Sequence, residues 1–359
     1  MDKTCFQNRS RGKSGLVRKV LHSMGLIFTS RVNLITALLF AGLSFTALLS
    51  AQEAEAFKPG GKPEVRIFTS FNSAFSDGEN HNKFDLNRAY LGYNYNFTKS
   101  LSGRIVYDAA NPTVGKLQFT GMLKFAYLKY QTDKWTISGG MIALPEYDFG
   151  DKRWGYRYIF RTAHEGYGFG PAADLGLSVG YKFTSWLSAD VTLMNGEGYK
   201  VNEADSTLKK AAGITIVPMK NFSVRCYYDN MGRNNDKQST VEIITTYENK
   251  GFGISAAYNY QKNNNMIAGH DYQALSFNGS IPIKDKIRLI GRFDNLYSVT
   301  VENEENPWNQ AKDGRLYLIG LDIALAPGIH ISPNYQGWQP AGMNMPFISR
   351  FSLSMDLKI

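Results

Sequence analysis

Cysteine, histidine and long apolar runs are all scarce in this chain. Two cysteines, Cys5 and Cys226, occur among 359 residues, which excludes a disulfide framework. Five histidines leave little material for a metal centre or a general base. After residue 56 no apolar run reaches the length of a membrane-spanning helix, and no helical heptads occur. No metal site and no cofactor is predicted.

The one long apolar run lies at the start of the chain. A basic stretch leads into "VNLITALLFAGLSFTALL" and then into Ala54-Glu55-Ala56, the order of a secretory signal peptide. We therefore predict a cleaved signal peptide over residues 1–56, with Met24 as the alternative start. A membrane-spanning anchor is the alternative. Residues 1–56 hold seven Lys or Arg and three Asp or Glu, so residues 57–359 carry a formal net charge of +5. That mild charge, without a basic run, predicts no nucleic-acid partner.

The remainder of the chain alternates between apolar and polar residues. The alternation is clear in residues 100–108, 221–229 and 286–294, and it continues to the last residue in "RFSLSMDLKI" at 350–359. A period of two predicts strands with one apolar and one polar face. We expect a short N-terminal segment over residues 57–63 and an all-β domain over residues 64–359.

Short and long connections take turns along the chain. The short turns are predicted at 98–100, 132–134, 184–185, 220–221, 249–250, 284–286 and 327–328. The long loops are predicted at 76–83, 109–116, 143–170, 195–208, 231–238, 262–270, 296–313 and 336–347. Seven turns and eight loops join sixteen strands, which is typical of a transmembrane antiparallel up-and-down β-barrel with short periplasmic turns. Residues 350–359 would close the barrel against residues 64–72. A soluble sandwich or propeller is the alternative.

Aromatic residues beside the short turns favour the membrane barrel. They resemble the girdle that outer-membrane barrels place at the lipid interface. Its predicted members are Phe97, Tyr130, Trp135, Phe183, Trp186, Phe222 and Phe252.

Three stretches resemble a known family. Residues 84–108, residues 126–150 and the C-terminal strand are similar to Gram-negative outer-membrane porins, in particular the phosphate-selective porin family in its Bacteroidetes-type form. The resemblance implies a sixteen-strand barrel in the outer membrane, a homotrimer, and passive diffusion of small hydrophilic solutes or anions. It also implies contact with outer-membrane lipid and recognition of the C-terminal strand by the barrel-assembly machinery. The chain ends on Ile359 where proteobacterial porins usually end on Phe, and no arginine ladder for phosphate can be placed.

The third loop is the longest and carries opposed charges. We predict that residues 144–170 fold into the barrel and form a constriction, where facing charges orient polar solutes. A surface loop lying over a neighbouring subunit is the alternative. The candidate residues are Lys152, Arg153, Arg157, Arg161, Glu146, Asp148, Asp151 and Glu165.

Strand phase places further charges on the lumen wall. The basic candidates are Arg66, Arg88, Arg104, Lys124, Arg225, Arg288, Arg292 and Arg350. Their acidic partners are Asp108, Asp190, Asp229, Glu242, Asp294, Asp322 and Asp356. Charges inside a barrel often pair across strands and only solvate the wall. The slight excess of basic over acidic candidates, eight against seven, predicts a mild preference for anions, phosphate among them.

Two other functions compete with a porin. An outer-membrane lipid hydrolase needs a nucleophile within reach of a base, and none of His81, His164, His270 and His330 lies in a catalytic motif. We therefore predict that the chain is not an enzyme. A non-conducting barrel for adhesion or assembly needs the same wall as a porin, with the acidic loop at 302–314 as its binding surface.

Overall fold

The computed structural model describes residues 57–109, 120–203, 206–233 and 236–359. The predicted signal peptide and most of the predicted loop at 109–116 lie outside these residues. Within them, no helix is both long enough and apolar enough to cross a membrane.

Sixteen strands and a few short helical turns make up the described chain. The strands are β1 (Gly60–Ser76), β2 (Glu79–Asn96), β3 (Leu101–Asp108), β4 (Met122–Gln131), β5 (Trp135–Ala143), β6 (Ala173–Lys182), β7 (Leu187–Met194), β8 (Lys209–Met219), β9 (Phe222–Arg233), β10 (Asp236–Asn249), β11 (Phe252–Lys262), β12 (Tyr272–Lys284), β13 (Ile287–Ser298), β14 (Gly314–Ala326), β15 (Ile329–Pro340) and β16 (Ile348–Lys358). The helices are α1 (Pro145–Trp154), α2 (Ala163–Gly166) and a 3₁₀ turn (Asn264–Met266).

The strands form one closed antiparallel barrel. Each strand pairs with its neighbours in sequence, and β1 pairs with β16 to complete the ring. The closing pair extends to the last residue, because Ile359 N–H donates to the Val65 carbonyl at 2.9 Å. Closure leaves no strand edge to meet hydrocarbon. The predicted sixteen-strand up-and-down barrel is confirmed.

The barrel wall exposes apolar side chains and buries charged ones, which is the opposite of a soluble protein. Outward-facing Leu91, Val191 and Leu353 are 50–64% exposed, while inward-facing Asp108 and Asp229 are 0% exposed. Soluble proteins bury large apolar side chains and expose their charges, so this distribution excludes the soluble-sheet alternative. It matches a barrel that has lipid outside and water or protein within.

The aromatic residues at the short turns are mostly exposed on the barrel, as a girdle requires. Tyr130 and Phe222 are half-buried. The exposed members are Phe97, Trp135, Phe183, Trp186 and Phe252.

The connections match the predicted alternation with two exceptions. All seven short turns occur, but the expected long loops at 76–83 and 231–238 are wrong. Only Asp77 and Gly78 separate β1 from β2, and both have positive φ (51° and 78°), as a tight Asp-Gly hairpin requires. Two residues separate β9 from β10. The paired strands extend these hairpins past the apolar band, so both of their faces are polar and their sequence resembles a loop.

The first strand also begins earlier than expected. β1 starts at Gly60, whereas the sequence predicted a strand only from residue 64. Gly60 and Gly61 pair with Asn96 and Tyr95 at the end of β2. Because glycine carries no side chain, alternation gives no signal there.

Cys226 gives a direct test of strand phase. It lies exposed on the outer face of β9, so we expect a water-confined maleimide to leave it unmodified in a lipid bilayer while a lipid-soluble maleimide labels it. Mass spectrometry of its peptide measures this. Arg350→Cys in a Cys226→Ser background provides a luminal control that both reagents reach. Rapid labelling of Cys226 by the water-confined reagent would contradict the assigned phase.

Candidate functional site

The long segment between β5 and β6 crosses the lumen. It begins with α1, where Pro145 occupies the first turn and Gly155 ends the helix with φ 74°. Tyr158 donates its hydroxyl to Asp322 at 2.7 Å, and Tyr167 donates to Asp294 at 2.7 Å. Asp294 lies on β13 and Asp322 on β14, which stand eight places around the sixteen-strand ring from β5 and β6. The segment, called loop 3 below, therefore reaches the opposite wall.

A buried polar cluster fastens loop 3 to the wall at β9–β11. From the loop come Glu146 and His164, which meet Arg225, Glu242 and Asn259 of the wall. His164 Nδ1 lies 2.8 Å from Asn259 Oδ1 and 3.1 Å from a Glu242 carboxylate oxygen. Arg225 Nε donates to Glu146 at 2.5 Å. All five side chains are buried. We call them the loop anchor.

The loop anchor sets the protonation of its loop members. Burial alone lowers the pKa of His164, but the carboxylate of Glu242 outweighs it and raises the pKa to about 9. Burial and the neighbouring Glu242 carboxylate raise the pKa of Glu146 well above its ordinary value. His164 is therefore protonated at neutral pH and forms a buried ion pair with Glu242, whose Oε2 atom lies 3.1 Å from Nδ1.

A pH dependence of stability follows from His164. Because the folded state raises its pKa from 6.5 to about 9, its contribution is full below pH 6.5 and is lost as pH rises through 9. We expect the denaturant midpoint of the micelle-bound barrel to fall across this window, and His164→Gln to remove most of that fall. Tryptophan fluorescence measures the midpoint. His81→Gln, at an exposed position on β2, is the control that keeps the fall; an unchanged profile in His164→Gln would contradict the assignment.

Arg292 fixes the middle of loop 3 from the β13 side. Its guanidinium lies 5.1 Å from the Trp154 ring centroid and 5.0 Å from that of Phe160. It also donates to the Arg161 carbonyl at 2.5 Å. Trp154 Nε1 donates to the Phe160 carbonyl at 2.6 Å. The backbone at Phe160 and Arg161 is thereby held, and the side chain of Arg161 faces the open part of the lumen.

An opening remains between loop 3 and the wall formed by β1, β2, β15 and β16. It has a volume of about 480 Å³ and includes Ser70, Asn72 and Gln336 as neutral polar groups. Only one carboxylate, Asp85, lines it among the described residues. We call this opening the basic cleft, after its six cationic side chains. They are Lys83, Arg88, Arg157, Arg161, Lys200 and Arg350.

Three cleft cations are paired with carboxylates. Arg88 donates to Asp108 at 3.0 Å, and Lys83 lies 3.2 Å from Asp85. Arg157 forms a two-pronged hydrogen-bonded pair with Glu165. Arg157 lowers the pKa of Glu165 to about 2 against the opposing effect of burial. These pairs shape the cleft without adding much net charge.

The other three cleft cations keep their charge uncompensated. In the described part of the chain, Arg161, Lys200 and Arg350 form no side-chain hydrogen bond or ion pair. Arg161 and Lys200 are exposed to the lumen, and partial desolvation, followed by the positive charge of Arg88, lowers the pKa of both. It is the geometry rather than this shift that favours anions: the three cations line one opening without a carboxylate partner in the described residues, and such clustered positive charge attracts anions.

A β-bulge brings Arg88 into the lumen. The register between β1 and β2 shifts so that Phe68 pairs with Arg88 while Thr69 pairs with Leu86. The extra residue, Asn87, donates to the luminal Ser70 hydroxyl at 2.9 Å. Bulges commonly re-aim side chains at functional positions, and here Asn87 and Arg88 both line the cleft.

Six of the eight predicted wall cations lie outside the cleft, and four of these six are neutralised by carboxylates. Arg66 pairs with Asp356 at 2.8 Å, and Arg104 pairs with Glu64, which the sequence analysis did not single out. Arg225 also pairs with Asp190 at 2.7 Å. The same holds for Arg292, which pairs with Asp294 at 2.8 Å.

Lys124 and Arg288 have neutral partners instead. Lys124 donates to the Tyr90 hydroxyl at 3.0 Å, and Arg288 donates to the Tyr156 hydroxyl at 2.8 Å. Only Arg88 and Arg350 of the eight predicted wall cations line the cleft.

Of the predicted constriction residues, too, only some line the cleft. Arg157 and Arg161 line the cleft. Lys152 is exposed elsewhere, and Arg153 stacks on Phe149 with its guanidinium 3.9 Å from the ring centroid. Asp151 lies 3.6 Å from Arg157. Of the remaining acidic candidates, Glu146 and Glu165 bind arginines and Asp148 is half-buried on α1.

Lys83 and Lys200 are cleft residues that the sequence analysis missed. Lys83 shares its strand phase with Asp85, a signal that was hidden because residues 76–83 were assigned to a loop. Lys200 follows β7 in a connecting segment, where no periodicity indicates a direction. In the described residues no group of three or more His, Cys, Asp or Glu side chains could hold a metal ion.

Solved structures share this barrel. OprB of Pseudomonas putida superposes with a TM-score of 0.66 at 9% identity, covering 84% of this chain and 94% of that one. OmpF of Salmonella typhi, solved with daunomycin, gives 0.62 at 12% identity, covering 83% and 98%. The outer membrane channel DcaP of Acinetobacter baumannii gives 0.60 at 13% identity, covering 85% and 100%.

No protein-family model and no curated protein sequence matches the chain. At these low identities the structural likeness establishes the fold alone. The fold is that of the sixteen-strand outer-membrane β-barrels.

Proposed function

We propose that this protein is an outer-membrane porin for passive diffusion of small hydrophilic solutes. The apolar outer face of the barrel wall and the exposed aromatic residues at the short turns suit a lipid bilayer. Sixteen strands leave an aqueous interior, unlike eight-strand barrels, which their own side chains fill. Loop 3 narrows that interior to the basic cleft. The structural likeness to an outer membrane channel supports the same function.

The proposed porin prefers anions, and the basic cleft carries this part of the proposal. Six cations line the opening that loop 3 leaves, and three of them, Arg161, Lys200 and Arg350, have no carboxylate partner in the described residues. A ring of basic side chains in a narrow, protein-walled passage raises the local concentration of anions. Phosphate is one anion that fits this charge. Specificity for it, and membership of the phosphate-selective porin family, remain part of the proposal.

Swelling of proteoliposomes tests the diffusion function. Vesicles containing the refolded protein are expected to swell in isotonic solutions of small sugars, at rates that fall steeply with solute size. Vesicles with heat-denatured protein are the control. Swelling no faster than in that control would contradict a porin and favour the non-conducting barrel, with the loop at 302–314 as its binding surface.

The proposal also includes export by the predicted signal peptide, assembly through the C-terminal strand, and a homotrimer. N-terminal sequencing of the mature protein tests the cleavage after residue 56. Native mass spectrometry tests the trimer.

We further propose that the protein is not an enzyme. Within the described residues, the histidine side chains contact acids, an amide or a ring rather than a serine hydroxyl. His164 binds Glu242 and Asn259, and His330 Nδ1 lies 2.9 Å from Asp322 inside the barrel. His270 stacks on Trp308. A lipid hydrolase would place its base on the lipid face, and release of fatty acid from vesicles by the purified protein would contradict the proposal.

A further inference from the structure

A second cavity lies above the basic cleft at the long-loop rim. It has a volume of about 600 Å³, within the range of small-molecule sites. Its walls come from loop 3, the ends of β13–β16, and the connection between β13 and β14. The apolar side chains in its lining are Phe160, Tyr167, Leu296, Leu316, Trp338 and Ile348. Its charged side chains are Lys312, Arg350 and Glu165, and the carboxylate of Glu165 is paired with Arg157.

Three of these side chains form an aromatic surface. The rings of Tyr167 and Trp338 are 6.3 Å apart with planes at 32°, and the rings of Phe160 and Tyr167 are 6.5 Å apart. Tyr167 is held in place because its hydroxyl donates to Asp294. Phe160 is held by the Arg292 guanidinium, 5.0 Å from its ring centroid. Tyr167 and Trp338 are only partly buried, so ring surface remains for a solute.

The aromatic cavity opens directly onto the basic cleft. Phe160, Gly166, Gln336 and Arg350 line both spaces. On the wall, Gln336 pairs with Arg350, and Trp338 lies two residues further toward the long-loop rim of β15. Because alternate residues of a strand share a face, Trp338 stands directly above Gln336. A solute with its ring on Trp338 would therefore direct its other end toward Arg350.

We propose that the channel binds small carboxylates that carry a ring with an apolar face, either an aromatic ring or a sugar ring. The ring stacks on Trp338 and Tyr167, and the carboxylate pairs with Arg350 before it enters the cleft. This inference rests on the proposed function, because it names the solutes that the porin selects. Neither an inorganic anion nor a neutral sugar would use both parts of the site.

Equilibrium binding tests the proposal without depending on current. Titration calorimetry on the folded barrel in micelles compares benzoate and glucuronate with acetate, which lacks a ring, and with benzyl alcohol and glucose, which lack a charge. We expect one or both ring-bearing carboxylates to bind at least tenfold more tightly than acetate and than their neutral counterparts. The tighter binder of the two shows whether the site prefers an aromatic ring or a sugar ring.

Variants assign the two halves of the site. Trp338→Ala should weaken binding of the ring-bearing carboxylate about fivefold to tenfold, the loss expected for one aromatic contact, while Trp338→Phe should retain most of it. Arg350→Gln should weaken binding of every carboxylate. Trp135→Ala removes the same side chain from the lipid-facing short-turn rim and should change nothing. Heat-modifiable migration on gels verifies folding of each variant.

The outcomes separate this inference from the proposed function. Equal affinities for benzoate, glucuronate and acetate, or an unchanged affinity in Trp338→Ala, would overturn the inference even if the channel conducts anions. If the barrel bound ring-bearing carboxylates but passed no ions, the binding site would stand and the proposed porin function would be contradicted.

Discussion

Replacing Arg161 and Arg350 together by glutamate is expected to convert the proposed anion preference of the channel into a preference for cations. Both side chains face the basic cleft and have no carboxylate partner in the described residues, so their charge acts on passing ions. A unit charge about 6 Å from an ion contributes roughly 0.7 kcal/mol in water and about 2.8 kcal/mol at an effective dielectric constant of 20. Reversing two charges should lower the chloride-to-potassium permeability ratio at least tenfold.

Reversal potentials in planar bilayers under a KCl gradient measure this change. Arg315→Glu is the matched control, since Arg315 is exposed on β14, contacts Asn295, and does not line the cleft. Because neither Arg161 nor Arg350 holds a structural partner, the double variant should fold normally. A folded double variant that keeps the wild-type permeability ratio would show that ions pass elsewhere.

Of the proposed substitutions, Arg225→Ala is expected to lower the free energy of unfolding the most. Arg225 bonds to Glu146 of loop 3 and, through two nitrogen atoms at 2.7 and 3.0 Å, to Asp190 of β7. Removing it leaves two carboxyl groups without their partner in a protein-walled site, a change that typically costs about 3–5 kcal/mol. It also frees one end of loop 3, so single-channel current should become noisier and larger.

Arg153→Ala is the control for that experiment. Arg153 lies on the same loop and stacks on Phe149, but its Nε has no hydrogen-bond partner. Its removal should leave the denaturant midpoint and the current nearly unchanged. If Arg225→Ala and Arg153→Ala behaved alike, loop 3 would not depend on the loop anchor.

Much of the fold could be predicted because the strands of a membrane barrel alternate between lipid-facing apolar residues and lumen-facing polar residues. The alternation to Ile359 predicted the closing strand, and seven polar turns were placed by their residue types. The Asp77–Gly78 hairpin was missed because its strands project into water, where both faces are polar. Gly60 and Gly61 were missed because glycine gives no phase.

The candidate site was only partly predictable. Strand phase placed Arg88 and Arg350 in the lumen, and loop length drew attention to Arg157 and Arg161. Alternation could not show which wall charges are cancelled, because pairs such as Arg66 with Asp356 join strands far apart in sequence. Nor could it place Lys200, whose direction depends on how its connecting segment folds.

The central claim is that the opening beside loop 3 is a cation-lined path for ions. The most direct test is the reversal potential of the wild-type protein in a planar bilayer under a KCl gradient. We expect stable current steps and a reversal potential displaced toward the equilibrium potential of chloride. A reversal potential displaced toward that of potassium would contradict the anion preference, and a folded barrel without current steps would contradict the porin.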